Sequence, residues 1–449
     1  MNTRNEAIQI FNAAVAAVMP EHLIPHHIFL QNNRLHLFDK EYNLDSLPDI
    51  YVIGAGKASA AMAAAIEKQV GSYITAGLVV TKYDHSITLN KIKCIEAAHP
   101  VPDENSITAT LETLRLLSTV KDNDIVICLL SGGASALWAD LPPGITLPAV
   151  QELFSLLLKS GAQIKEVNAV RKHLSCIKGG QLLRHAPGAD WFSFIISDVP
   201  GDLLEAIASG PTVADASTFN DVKTILDRYV LTDRAPESVI NHIQAGIKGL
   251  VKETVKENDL LFKRAHCRII GSNRIALEAA AVQAELMGFY IPFIDIDLTG
   301  DAATIGRELM RTCSQYADKV PACFLFGGET TVQVKGAGKG GRNQHMALSA
   351  ACVMFETGSK VLAGEVIILC AGTDGTDGPT DAAGAIADGD VVALAKAWGL
   401  DPARYLVEND AYHFFEQAGG LFKPGPTQTN VMDLVVVLIV PGDQIFPGI

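Results

Sequence analysis

A chain of 449 residues exceeds the size at which one hydrophobic core keeps growing, so two domains are expected. Hydrophobic residues at 48% exclude a disordered chain, and a formal charge of −14 excludes the basic footprint of a nucleic-acid binder while leaving room for a few cations in a local anion site. The eight cysteines are scattered without a C-x-x-C pair, which speaks against a disulfide framework or zinc site and fits a reducing cytoplasm.

The N-terminal stretch is alanine-rich, but Gln9 and Asn12 interrupt any signal-like core and Glu6 stands where a signal would be basic. An ordinary amphipathic helix is predicted there. From residue 50 onward one pattern recurs: a short apolar run leads into a loop of glycine and small polar residues, then into a helical stretch. It occurs at residues 50–56, 125–133, 192–198, 268–273, 323–328 and 366–372. Strands apolar throughout and separated by helices predict mostly parallel sheets covered on both faces, a doubly wound, Rossmann-like α/β architecture. Ligands in such sheets bind beyond the carboxyl ends of the strands, where these loops lie. Residues 248–263 are charge-rich and predict an exposed helix or linker, which places the domain boundary nearby and a cleft between the halves. The longest apolar runs, such as residues 434–440, have strand length and fall well short of a membrane span.

The first loop carries Gly54, Gly56, Lys57 and Ser59 ahead of an alanine-rich helix. Glycines let a ligand approach the backbone, and a helix start presents unpaired N–H groups to an anion. A dinucleotide fingerprint would need glycine at Ser59, and a P-loop would need glycine at Tyr51. What remains is a generic anion cradle with a lysine, or a tight turn with an exposed one. The second loop, Ser131-Gly132-Gly133-Ala134-Ser135, offers backbone and hydroxyl donors suited to carboxylate or phosphate and lacks the spacing of a nucleophile elbow.

Three later segments carry charge. Asp198 and Asp202 end the strand near residue 196. Glu329 follows Gly327 and Gly328, with Thr330 next, and Asp374, Asp377 and Asp381 punctuate the loop that holds Thr373 and Gly375. Oxygen-rich loops of this kind suit Mg²⁺, held by one or two carboxylates and substrate phosphates, though each aspartate also reads as a turn residue. The strongest local signal is Gly336-Ala337-Gly338-Lys339-Gly340-Gly341-Arg342-Asn343-Gln344-His345, which delivers an arginine and two amides at a predicted helix start. Arginine binds phosphoryl or carboxylate oxygens bidentately. His345 reads as a surface or capping histidine.

Together the segments VIGAGKAS, AAHPVPDENS, LLSGGASAL, VNAVRKHLSCIKGG, SDVPGD with ASGPT, FGGETTV, GKGGRNQ and AGTDGTDGPTDAAGA resemble the glycerate 2-kinase family. These kinases have a MOFRL-type C-terminal domain, and some members carry the label hydroxypyruvate reductase. The resemblance covers nearly the whole chain. It implies two α/β domains, residues 1–245 and 246–449 with a MOFRL-type region at about 322–440, and a catalytic cleft between them. It implies ATP-dependent phosphorylation of the 2-hydroxyl of D-glycerate with Mg²⁺. The family's catalytic lysine and arginine fall on Lys57 and Arg342, neither assigned to a core. One departure is His345, where the family usually has an acid, so any metal or ribose role of that acid does not carry over here by resemblance.

Lys57 and Arg342 are therefore expected on the transferring phosphoryl group, one from each half. Gly54, Gly56, Ser59, Ser131, Gly132, Gly133, Ser135, Gly327, Gly328, Thr330, Gly340, Gly341, Asn343, Gln344, Thr373 and Gly375 are expected to bind substrate or nucleotide, and Asp198, Glu329 and Asp374 are metal candidates. The expected partners are D-glycerate and Mg-ATP, with no nucleic acid and no membrane; a homo-oligomer stays open. An NAD(P)H-dependent hydroxypyruvate reductase and a non-catalytic small-acid-binding regulator are the alternatives.

Overall fold

The computed structural model describes residues 3–316, 320–357 and 364–441. The chain forms two compact units, one of residues 23–270 and the other of the chain up to His22 together with the chain from Gly271 onward.

In the first unit a small antiparallel sheet, β1 (Ile28–Gln31), β2 (Arg34–Leu37) and β3 (Lys40–Asn43), precedes a six-stranded sheet. That sheet contains β4 (Ile50–Ala55), β5 (Ile74–Lys82), β6 (Ile92–Ala97), β7 (Ile125–Leu130), β8 (Asp190–Ile196) and β9 (Ala265–Gly271), in the order β6-β5-β4-β7-β8-β9. The strand pairings from β6 through β5, β4 and β7 to β8 are all parallel. Every residue of β4 and β7 is buried, as apolar runs without alternation require of central parallel strands. The chain moves outward from β4 in one direction and from β7 in the other. The point between β4 and β7 is therefore the topological switch, and the loops that follow these two strands open the crevice where such sheets take ligands. Helices Leu147–Lys159, Ile164–His173, Phe219–Arg228 and Glu237–Ile247 gather around a separate apolar cluster that includes Leu153, Val170, Phe219 and Val239.

The expected boundary at 245/246 differs from this division twice. Residues 248–263 are not a linker: Val255 is fully buried, its N–H donates to Gly179 O at 2.9 Å, and its carbonyl accepts from Asp215 N at 2.9 Å. The segment is stitched into the first unit and runs on into β9, the edge strand beside β8. The N-terminal helix Thr3–Ala17, expected with the first domain, belongs to the second unit.

The sheet of that second unit is mixed. It contains β10 (Ile294–Asp301), β11 (Ala322–Thr331), β12 (Gly364–Gly372), β13 (Gly384–Asp388), β14 (Leu421–Phe422) and β15 (Asp433–Pro441), in the order β10-β11-β15-β12-β13-β14. Only β10 and β11 pair in parallel; β15 runs antiparallel to both β11 and β12. Helix Arg342–Thr357 supplies Met346, Ala347 and Ala350 to a core shared with Phe324, Ile368 and Val437. The N-terminal helix buries Ala7, Ile10, Phe11 and Ala14, with Phe11 edge-on to Phe422 at 5.2 Å and Arg4 paired with Asp388 at 2.7 Å.

Phe11→Ala is expected to destabilise the protein by about 3–5 kcal/mol, the range for emptying a buried aromatic site. Hydrogen exchange should accelerate in β12 and β15 and stay unchanged in β4 and β7; equal acceleration in both sheets would contradict the placement of this helix.

Candidate active site

The loops after β4 and β7 are stitched to each other. Lys57 N donates to Gly132 O at 2.8 Å, and Ala58 N donates to Ser131 Oγ at 3.0 Å. Gly56 has φ of +137°, and a Cβ there would lie 2.1 Å from Ser131 Oγ, so the glycine makes room for the neighbouring strand. The Ser59 hydroxyl lies 2.8 Å from Gly56 O and 2.7 Å from Val80 O. Ser59 and Ser131, expected as ligand donors, are thus buried pins of the loop pair. Gly133 has φ of +85°, and a Cβ there would meet the His99 ring at 2.9 Å and the Lys57 stem at 3.6 Å. Lys57, His99 and the Gly133 backbone share one corner, with Lys57 preceding helix Ser59–Val70.

Beside this corner the first unit holds a cavity of about 700 Å³. His99, Gly133, Ser135 and Asp198 line it, together with Asp140, Arg171 and Lys178, which carried no expected role. Ser135 Oγ lies 3.0 Å from Ser209 Oγ. Ala208 and Ser209 hold φ of 54° and 58°, a left-handed run that is strained for residues with a side chain and that borders the cavity at Ala208. Lys178 donates to Trp138 O at 2.8 Å and to Asp140 Oδ1 at 3.3 Å. Burial holds the Lys178 pKa below its ordinary value; Asp140 opposes that shift and Arg171 adds to it. The signal for these cations was present in VNAVRKHLSCIKGG, but nothing in the segment alone shows which of its four basic side chains face a cavity.

In the second unit Arg342 opens helix Arg342–Thr357. Its Nη2 donates to Asp433 Oδ1 at 3.0 Å, its Nε to Asp433 Oδ2 at 2.5 Å, and its Nη1 to Glu329 Oε1 at 2.6 Å. Burial works against the charged guanidinium, yet the hydrogen bonds and charge of Asp433 outweigh it and raise the pKa above the ordinary value. Arg342 therefore has a structural attachment that the sequence did not suggest: Asp433 is 2% exposed and sits where β15 begins. Glu329, a metal candidate, is an arginine partner here. Asp377, placed among the metal-type aspartates, instead accepts from Asn343 N at 3.1 Å and Gln344 N at 2.9 Å at the start of the same helix, packed against Gly341. Burial pushes its carboxyl up to about 7, against those hydrogen bonds.

Asn343 and Gln344 are fully buried, and their side-chain oxygens find no hydrogen-bond partner among the described residues. The Thr373 hydroxyl donates to Met432 O at 2.6 Å and accepts from Val431 N at 2.8 Å, which anchors the loop inside the fold. Thr330 is buried with its Oγ1 unpartnered, next to Glu329 on β11 with Gly327 and Gly328. Gly340 lies against the backbone of residues 409–412, and Gly375 has φ of +86° against Gly425 O. Asp374 Oδ1 accepts from Thr376 N at 3.0 Å. Asp381 is paired with Lys423 at 2.9 Å. His345 is not a surface residue: it is 7% exposed, and burial keeps its pKa low.

Residues 6–244 match a domain family of unknown function (DUF4147), and residues 322–433 match the MOFRL family. A glycerate 2-kinase of Pyrococcus horikoshii is 40% identical over 98% of both chains. The chain belongs to the MOFRL-type glycerate kinase family. A D-glycerate 2-kinase of Thermotoga maritima is 40% identical over 97% of this chain and 98% of its own, and the human glycerate kinase is 31% identical over 98% and 94%. A relative from Agrobacterium vitis, 38% identical, bears a provisional hydroxypyruvate reductase name. The crystal structure of a glycerate kinase from Thermotoga maritima superposes with a TM-score of 0.84 at 38% identity, covering 98% of this chain and 99% of that one.

The second locus yields a pH test. A carboxyl whose folded pKa is raised binds its proton more tightly in the folded chain, so its stabilising contribution is full below the ordinary value of 3.8 and is lost as pH rises through about 7. Asp377→Asn removes this titration. In urea unfolding the stability advantage of wild type over the variant should shrink between about pH 5 and about pH 8. An advantage that is constant or grows across that interval would contradict the raised pKa.

Proposed function

We propose that this protein is an ATP-dependent glycerate 2-kinase, transferring the γ-phosphoryl group of ATP to the 2-hydroxyl of D-glycerate. The observation that carries this reading is the likeness, across 98% of both chains, to a glycerate 2-kinase. The local chemistry supports it. Phosphoryl transfer depends on positioning and on neutralising charge at the equatorial oxygens, so cations on a rigid frame suffice. The loop pair after β4 and β7 fixes the backbone from which Lys57 projects. Asp433 and Glu329 fix the plane of the Arg342 fork, leaving its remaining N–H groups to meet phosphoryl oxygens. We assign Lys57 in the first unit and Arg342 in the second each a role in phosphoryl transfer.

Magnesium is held by one or two carboxylates together with phosphate oxygens. Asp198 on the cavity wall suits that sharing, and Asp374 is a second candidate, whereas Glu329 is already tied to Arg342. Among the described residues no group of three or more His, Cys, Asp or Glu side chains could hold a metal by itself. When bound, it would neutralise charge on the phosphates. No single described helix is long and apolar enough to cross a membrane. A cytoplasmic enzyme is the reading we adopt.

Purified protein with D-glycerate and Mg-ATP should give ADP and 2-phosphoglycerate, identified by ³¹P NMR; NADH oxidation with hydroxypyruvate and no ADP would refute the assignment. Lys57→Ala should lower kcat by about 10²–10³ with little change in Tm. Arg342→Ala is a poor probe, because it leaves the Asp433 carboxylate buried and unpaired, a loss of up to about 3–5 kcal/mol. Arg342→Lys keeps a charge opposite Asp433 but not the fork, so it should stay folded and still lose most of kcat. Near-normal kcat in either variant would remove that residue from the reaction.

EDTA should abolish turnover, and added Mg²⁺ or Mn²⁺ should restore it. Full activity in metal-free buffer would overturn the metal assignment.

A further inference from the structure

The cavity of the first unit contains a charge arrangement that the loops alone do not explain. Arg171 projects from helix Ile164–His173 into its wall, with its guanidinium 5.2 Å from the Phe154 ring centroid and Nη1 donating to Asn168 Oδ1 at 2.7 Å. Among the described residues no carboxylate forms a hydrogen bond or ion pair with it. Burial lowers its pKa, and no acidic neighbour raises it again. Lys178, 4% exposed, shares the wall and repels it. Lys178 does have a carboxylate, Asp140, but that group already accepts from Ser175 Oγ at 2.7 Å and from Cys176 N. Its capacity to compensate a second cation is low.

Much of the remaining wall is apolar, with Val101, Val150 and Leu158 beside Phe154. Two like charges facing one cavity repel each other, and a guanidinium partly desolvated by burial, with no carboxylate partner among the described residues, is unfavourable. An anion removes both penalties at once, and the guanidinium fork matches a carboxylate or phosphate group edge-on. A cavity of about 700 Å³ also far exceeds one such group, so the anion would occupy one corner of a larger ligand's seat.

We propose that Arg171, supported by Lys178, is the oxyanion anchor of this cavity and binds a carboxylate or phosphate group carried by a reactant. The proposal rests on the kinase reading only for the identity of the reactants, D-glycerate and ATP, both of which carry such a group.

Calorimetric binding of D-glycerate, ATP and inorganic phosphate to wild type, Arg171→Gln and Arg171→Lys tests it without requiring turnover. Arg171→Gln should weaken one reactant by about 10- to 100-fold, as expected for a lost charge-assisted contact. Arg171→Lys should restore part of that affinity. Loss confined to D-glycerate identifies the carboxylate, and loss shared by ATP and phosphate identifies the phosphate tail. Because the side chain lacks a carboxylate partner, the ligand-free Tm of Arg171→Gln should equal or exceed that of wild type. Unchanged affinities for all three ligands, or a Tm drop of several degrees in both variants, would make Arg171 a packing residue and overturn the proposal. If wild type binds an anion through Arg171 yet forms no ADP, the kinase reading falls and the anchor stands; turnover with Arg171-independent binding does the reverse.

Discussion

The hydrogen bond from Lys57 N to Gly132 O joins two loops that leave neighbouring parallel strands at the point where the sheet changes direction. Because β4 and β7 are buried on both faces, neither can shift without disturbing the core around Ile53, Cys128 and Leu130. The rigidity of the sheet is transmitted to the loops, and the close contact of Gly56 with Ser131 leaves no slack between them. A flexible lysine stem thus begins from a fixed origin, beside the Gly133 backbone and the His99 ring. Preorganisation of this kind is what charge stabilisation in a transition state requires, since a cation that must first be positioned stabilises less.

The second unit reaches a similar result by a different route. Arg342 is fixed by acids: Asp433 occupies the start of β15, and Glu329 lies near the end of β11, the strand that pairs antiparallel with it. Asp377 holds the first N–H groups of the helix that Arg342 opens. A carboxylate at that position suits the helix dipole, but its burial and the charge of Asp433 beside it raise the energy of ionising it. The arginine is the compensating charge for this acidic cluster, which ties its catalytic assignment to the stability of its own unit.

The strands were legible because parallel central strands are apolar throughout, a pattern that IYVIGA and IVICLL show without structure. The helix starts after Lys57 and at Arg342 were equally visible from alanine-rich or strongly helical stretches. The boundary was not. Residues 248–263 have the composition of an exposed linker, and the two inward residues that help tie them down, Thr254 and Val255, are invisible among lysines and glutamates. The glycine segments that follow β4 and β7 are loops as expected, but Gly54 lies within β4 and Gly327, Gly328, Glu329 and Thr330 lie within β11, because closeness to a ligand and closeness to a neighbouring strand select glycine for the same steric reason. Gly56, Ser59 and Ser131 turned out to serve the strand contact. Asp433 was hidden in another way: it is one acid before an apolar run, and only the sheet order places it opposite Arg342.

Net charge and local charge point in opposite directions in this protein. A formal charge of −14 repels an anionic reactant at long range, but ionic screening confines that repulsion to about 10 Å at moderate salt. Beside a partly desolvated cation of the cavity wall, the interaction with an entering anion is screened less than at the open surface. Lys178 and Arg171 are buried to the degree that their charged forms are disfavoured, and the same desolvation strengthens their attraction for an entering anion. The apolar side chains around them, Phe154 among them, offer the guanidinium no acceptor and lower its solvation without sealing the cavity.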